Sequence, residues 1–152
     1  MYKVELGEVT AMPGQITYTQ DLEGVDWEEM KTTLVQDDFD NGRTPEQLRE
    51  SFANSSASVI AYAPDGRIIG TVRALSDGVC NAYVVDVWTL TEFRKQGVAT
   101  HMMQILLDRF EGQHVYLFTD DSTVAFYKKL GFEEQGIGLA RVVGQWLQCG
   151  TG

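Results

Sequence analysis

The sequence predicts a mixed α/β fold: a largely antiparallel sheet with helices packed on it. Three observations carry that expectation. Two helix starts with capping chemistry, at Asp26 and Thr44, come before three valine- and aromatic-rich runs separated by tight-turn residues. The third run passes through a basic, glycine-bearing loop directly into a segment of helical periodicity. A further short apolar run and a last helical segment then follow, so one parallel step is expected beside an antiparallel meander.

The elements follow in chain order. Residues 14–20 alternate as a short strand, with Ile16 and Tyr18 on one face and Thr17 and Thr19 on the other. Asp26 is an N-cap with Glu29 three residues later, Val25 and Met30 are placed for a hydrophobic staple, and Trp27, Met30 and Leu34 share a face. Thr44-Pro45-Glu46-Gln47 supplies a cap hydroxyl, a proline at the first helical position and the glutamine of a capping box, with Leu48 and Phe52 as the buried stripe.

Strands are expected over 57–63 and 68–75, joined by Pro64-Asp65-Gly66-Arg67. Asp77-Gly78 turns the chain into a third strand over 82–90. Over 98–110, Ala99, Met103, Leu106 and Phe110 form an apolar stripe opposite His101, Gln104 and Asp108, and His101 is read as exposed. Residues 114–119 read as a strand opened by His114, which is as much a core partner as a chemical group. Residues 122–130 read as a helix, and from Phe132 onward two strands are interrupted by Gly136, Gly138 and Gly144.

One domain over 1–152 is expected, since 152 residues with 43% hydrophobic content can build a core without a second unit. The formal net charge of −10 argues against nucleic acid and anionic membrane surfaces as partners and fits a cationic acceptor. Cys80 and Cys149 form no clustered pair, so no metal site and no disulfide framework is expected. No leader and no apolar run of about eighteen residues occurs, and the expected location is cytoplasmic.

The chemistry-bearing stretch is Arg94-Lys95-Gln96-Gly97-Val98-Ala99, at the strand-to-helix step. A glycine lets backbone approach a ligand, and the first amides of a helix lack intrahelical partners, so the step suits a phosphate or pyrophosphate. About thirty residues on, Phe126-Tyr127-Lys128-Lys129-Leu130-Gly131-Phe132 reads as a glycine-capped helix end leading into a strand. Together the two segments resemble the GNAT superfamily of acyl-CoA-dependent N-acetyltransferases, over residues 59–132.

The resemblance implies a GNAT-like mixed sheet with helices on both faces and a parallel strand pair splayed to admit pantetheine. It implies acetyl-CoA as co-substrate and no metal. Main-chain groups of Val87, Trp88 and Thr89 would hold the pantetheine arm, and one amide of that strand would face the thioester oxygen. Arg94, Lys95, Gln96, Gly97, Val98, Ala99 and Thr100 would hold the pyrophosphate, with Phe126 also at the cofactor. Tyr127 would be the general acid that protonates the thiolate, since a phenol is protonated at neutral pH.

Asp86, an acid inside an apolar run sharing a face with Val84 and Trp88, is the candidate general base or the group that orients a water. The competing reading is a structural aspartate satisfied by backbone amides or by Arg73. Asp120 stands where many members carry asparagine, and the strand before that helix lacks the glutamate some members use. Asp38, Phe39 and Asp40, in the acidic loop between the first two helices, would border the acceptor site and suit an ammonium group.

The expected activity is acetyl transfer to a primary amine by direct attack, because Cys80 has no base partner for a covalent route. The alternatives are a non-catalytic acyl-CoA sensor and a transferase of another acyl group. A homodimer through the C-terminal strands is also expected.

Overall fold

The computed structural model describes residues 14–141, together with the backbone of 3–5 and 8–10. Strands β1 (Lys3–Glu5) and β2 (Glu8–Thr10) pair antiparallel as a separate ladder that the sequence reading did not anticipate. The main sheet has the order β3-β4-β5-β6-β7, formed by Thr17–Thr19, Ala57–Tyr62, Ile68–Ser76, Asn81–Thr89 and His114–Tyr116. The first three pairings are antiparallel and β6–β7 is parallel.

The turns form for local reasons. Gly66 takes a positive φ of 90° in the β4–β5 connection and its amide donates to the Ala63 carbonyl. In the β5–β6 connection a single Asp77 oxygen accepts the amides of Val79, Cys80 and Asn81, which holds that carboxyl below its ordinary value.

Helices cover both faces. On one, α1 (Trp27–Gln36) and α2 (Pro45–Ala53) bury Met30, Leu34, Leu48 and Phe52 against Ile60, Ile68 and Trp88. Each such apolar side chain contributes on the order of 1.5–3 kcal/mol by leaving water. The opposite face carries α3 (Val98–Leu107), whose Val98, Met102, Met103 and Leu106 pack on Val59, Ala61, Ile69 and Val72. Gly70 makes that approach close: a Cβ there would lie 2.9 Å from the Met102 Cε.

Both helix starts form, with one difference. Thr44 and Gln47 complete a reciprocal capping box. Asp26 accepts from the Glu29 amide, but the Glu29 carboxylate turns away and accepts the Ile68 amide at 2.7 Å, tying α1 to the first residue of β5.

The α3 segment is helical only to Leu107 and continues as a 3-10 turn, Asp108–Phe110, that still buries Phe110. The strand expected over 114–119 ends at Tyr116. Helix α4 spans Val124–Lys129, because Asp120, Ser122 and Thr123 spend their polar groups on a turn before it. His101 is not exposed: its ring stacks on Tyr18 with centroids 4.2 Å apart, and burial lowers its pKa. His114 is exposed at the sheet edge and is no core partner.

No strand forms in 132–141, where a polar Glu133-Glu134-Gln135 stretch runs into Gly136, which takes a positive φ. The rest of the expected C-terminal strands, with Gly144 and Cys149, lies outside the described residues.

Candidate functional site

Strand β6 is not a regular strand. Thr71 pairs with Trp88 but Arg73 pairs with Val85, so Asp86 and Val87 together oppose one residue of β5. This is a β-bulge, and Asp86 holds it with φ 55°. The extra residue changes the faces: Val84 joins the α3 side of the core and Trp88 joins the α1–α2 side. Asp86 therefore does not share a face with both Val84 and Trp88, as strict alternation had implied.

The Asp86 carboxylate lies in a cage of guanidinium donors. Arg43 Nη1 and Nη2 donate to its two oxygens at 2.9 and 3.0 Å, and Arg73 Nε donates at 2.5 Å. Arg43 is 4% exposed, and its Nε donates to Asn41 Oδ1. The sequence reading placed Arg73 here and missed Arg43. A signal existed, since a carboxylate inside an apolar run must find a cation or donors, and Arg43 is the lone cation of an otherwise acidic loop.

Beyond the bulge β6 stands apart from β7. Their parallel pairing covers Asn81–Tyr83 against His114–Tyr116 and stops there, leaving Val87, Trp88 and Thr89 past the point of divergence. Thr89 Oγ1 is buried and has no hydrogen-bond partner among the described residues. A buried orphan hydroxyl is costly, and its presence favours a site that a ligand completes.

The loop after β6 makes a 3-10 turn, Thr91–Phe93, closed by Gln96 Nε2 donating to the Glu92 carbonyl. Lys95 and Gly97 both take positive φ, 62° and 84°. Gly97 caps α3 without a side chain, and the first intrahelical bond there is His101 N–H to the Gly97 carbonyl. The amides of Val98, Ala99 and Thr100 are therefore free of intrahelical acceptors. A Cβ at Gly97 would meet no protein atom within 4 Å. Space, amides and the orphan hydroxyl fit the expected pyrophosphate and adjoining arm.

Arg94 does not point freely outward. Its Nε donates to the Thr89 carbonyl at 2.9 Å and its Nη2 reaches Asp37 at 3.5 Å. Asp37 also accepts from Trp88 Nε1 at 2.9 Å and from the Thr91 amide. Burial raises the Asp37 pKa, but hydrogen bonds from Thr91 and Trp88 and the Arg94 charge outweigh it, and the group lies below its ordinary value. Asp37, a second missed residue, thus joins α1, the end of β6 and the basic loop. Its signal was Trp88, whose buried indole N–H needs an acceptor.

In the acidic loop Asp38 is exposed with φ 56°, Phe39 is 39% exposed, and Asp40 pairs with Lys31. On α4, the Tyr127 ring packs edge-to-face on Phe126 and Phe132, at 4.9 and 5.9 Å between centroids. Burial, and after it the Asp120 charge, raises the Tyr127 pKa. Asp120 itself accepts from the Ser122 amide and hydroxyl, which keeps it ionised and closes the turn before α4. Tyr127 also lines a cavity of about 960 Å³ between β7 and residues 132–136. Among the described residues no cluster of His, Cys, Asp and Glu could hold a metal ion, and no helix is long and apolar enough to cross a membrane.

The profile of the Acetyltransferase (GNAT) family matches residues 21–132 of the chain. A Gibberella zeae protein named as an acetyltransferase is 30% identical over 112 residues, 66% of this chain and 63% of that protein. GCN5-related N-acetyltransferase 2, chloroplastic, of Arabidopsis thaliana is 33% identical over 102 residues, 60% of this chain and 39% of that protein. The chain thus spans less than two thirds of the length of either relative. Among solved structures, a GNAT family acetyltransferase of Streptococcus pneumoniae superposes with a TM-score of 0.67 at 26% identity, covering 84% of this chain and 98% of that one. A Deinococcus radiodurans protein named as an acetyltransferase gives 0.74 at 28% identity, covering 87% and 92%.

Proposed function

The chain belongs to the acetyltransferase (GNAT) family, and from that premise we propose that it transfers an acetyl group from acetyl-CoA to a primary amine by direct attack. The observation that carries this reading is at the β6–α3 step, where the Thr89 hydroxyl is buried and unsatisfied and the first amides of α3 have no intrahelical acceptor. Acetyl-CoA, when bound, supplies the acetyl group on a thioester.

The chain's own residues then divide the work. Amides of Val98, Ala99 and Thr100, with Lys95, Gln96 and Gly97, hold the pyrophosphate. Arg94 keeps the loop against Thr89 and Asp37. Main-chain groups of Val87, Trp88 and Thr89 hold the pantetheine arm, and Phe126 packs beside it. Tyr127 Oη holds a proton at neutral pH, as an ordinary phenol does and as burial reinforces, and gives it to the departing sulfur.

Asp38 and Phe39, exposed on the α1–α2 loop, face an ammonium-bearing acceptor, while Asp40 is engaged with Lys31. Only the neutral amine attacks, so its proton leaves to water, Asp86 being enclosed by Arg43 and Arg73. An acidic chain with the exposed thiol of Cys80 suits a reducing cytoplasm.

The test is release of CoA thiol from acetyl-CoA in the presence of small amines, polyamines, amino acids and lysine peptides. Amine-dependent release is expected. Tight CoA binding with no release for any amine would convert the reading to a sensor, and release from longer acyl-CoA only would change the donor.

A further inference from the structure

Resting on the acetyl-CoA reading, the bulge in β6 supports a more specific role for the charged groups around it. Asp86 stands in a backbone conformation that L side chains rarely adopt, although aspartate and asparagine tolerate it better than most. Four donors hold it there. Three are the guanidinium N–H groups of Arg43 and Arg73 on its carboxylate, and the fourth is the Thr71 hydroxyl on its carbonyl at 2.8 Å.

Both arginines are themselves fixed. Arg43 is tied to Asn41, and Arg73 lies over the Phe52 ring with Ser55 Oγ at 3.3 Å. A carboxylate whose two oxygens are both occupied by guanidinium is poorly placed to accept a substrate proton, yet well placed to fix a backbone.

What is fixed is the strand that receives the cofactor. The register slips at Asp86, Val87 turns toward the α3 side, Trp88 goes to the other, and β7 has already left the ladder. The loop that supplies Arg43 also supplies Asp37, which holds the far end of β6 through Trp88 and Thr91. We propose that Arg43, Asp86 and Arg73 are positioning residues that hold the β6 bulge in the form that binds acetyl-CoA, and that Asp86 takes no proton during turnover.

Titration of free CoA needs no acceptor and separates the two roles. Asp86→Asn tolerates the backbone angle but leaves one acceptor oxygen for two guanidinium groups and turns an NH2 toward the other donor, whereas Asp86→Ala loses both the acceptors and the tolerance. CoA affinity is expected to fall about threefold to tenfold for Asp86→Asn and by roughly tenfold or more for Asp86→Ala. Arg43→Lys, whose ammonium cannot span both oxygens, is expected to weaken CoA as well and covers the case in which Asp86→Ala does not fold. The pH–rate profile of Asp86→Asn is expected to keep the wild-type shape.

Equal CoA affinity in all four proteins, or loss of turnover in Asp86→Asn and Asp86→Ala alike with CoA binding intact, would overturn the proposal and return Asp86 to a base. Failure of wild type to bind CoA is a different result and overturns the acetyl-CoA reading itself.

Discussion

Tyr127 is the residue on which the proposed proton transfer depends, and its surroundings work in one direction. Burial against Phe126 and Phe132 disfavours the phenolate, and the ionised Asp120 disfavours it further, so the folded pKa lies above the ordinary value of 10.0. The sign follows: the acid form is complete below that value and is lost as pH rises through it, so this group causes no fall in rate below about pH 10. Tyr127→Phe is expected to lower kcat by about 10²–10⁴ while leaving CoA affinity nearly unchanged, read from steady-state rates and a CoA titration. Unchanged kcat across the pH range would remove Tyr127 from the reaction. At this scale the placement of Tyr127 on a helix and of residues 94–100 at a strand-to-helix step was legible because short motifs fix their neighbours. Arg43 and Asp37 were not, because each meets its partner across more than forty residues of chain, and only the burial of Asp86 and Trp88 hinted that partners must exist.

Elements with local causes were read well. Asp26, Thr44 and Gln47 encode their helix starts within four residues, and both starts form. Thr44→Ala is expected to cost about 1 kcal/mol of stability, seen as a lower Tm, with no change in CoA affinity, since the cap serves α2 and not the cofactor strand. A matched loss of CoA affinity would mean that α2 controls β6 through Arg43 more directly than its packing suggests. Where period-two alternation was applied through 82–90, the bulge broke it: an acidic residue amid valines carried the warning, but its handedness is a backbone property that side-chain order does not spell out. Glu29 shows the same limit, because its capping spacing is correct while its carboxylate bonds the tertiary partner Ile68 instead.

For the whole molecule, the layer order was legible because it rests on hydrophobic pattern and on one strand-loop-helix step. Helices do cover both faces of a mixed sheet, and the one parallel pairing among the described residues parts where the cofactor is proposed to enter. Of the strands expected from Phe132 onward, the part over 132–141 does not form, since Gly136 and its charged neighbours lack the alternation that a strand needs. The family assignment, the uncapped α3 turn and the orphan Thr89 hydroxyl are the grounds for the central proposal, that this chain binds acetyl-CoA at the β6–α3 junction. The most direct test is calorimetric titration of acetyl-CoA into wild type and Gly97→Trp, a substitution that strains the φ of 84° at the α3 cap and adds an indole beside the free amides. Micromolar binding by wild type that disappears in a variant still folded is the predicted result; wild type that fails to bind, or a variant that binds equally well, would contradict the account.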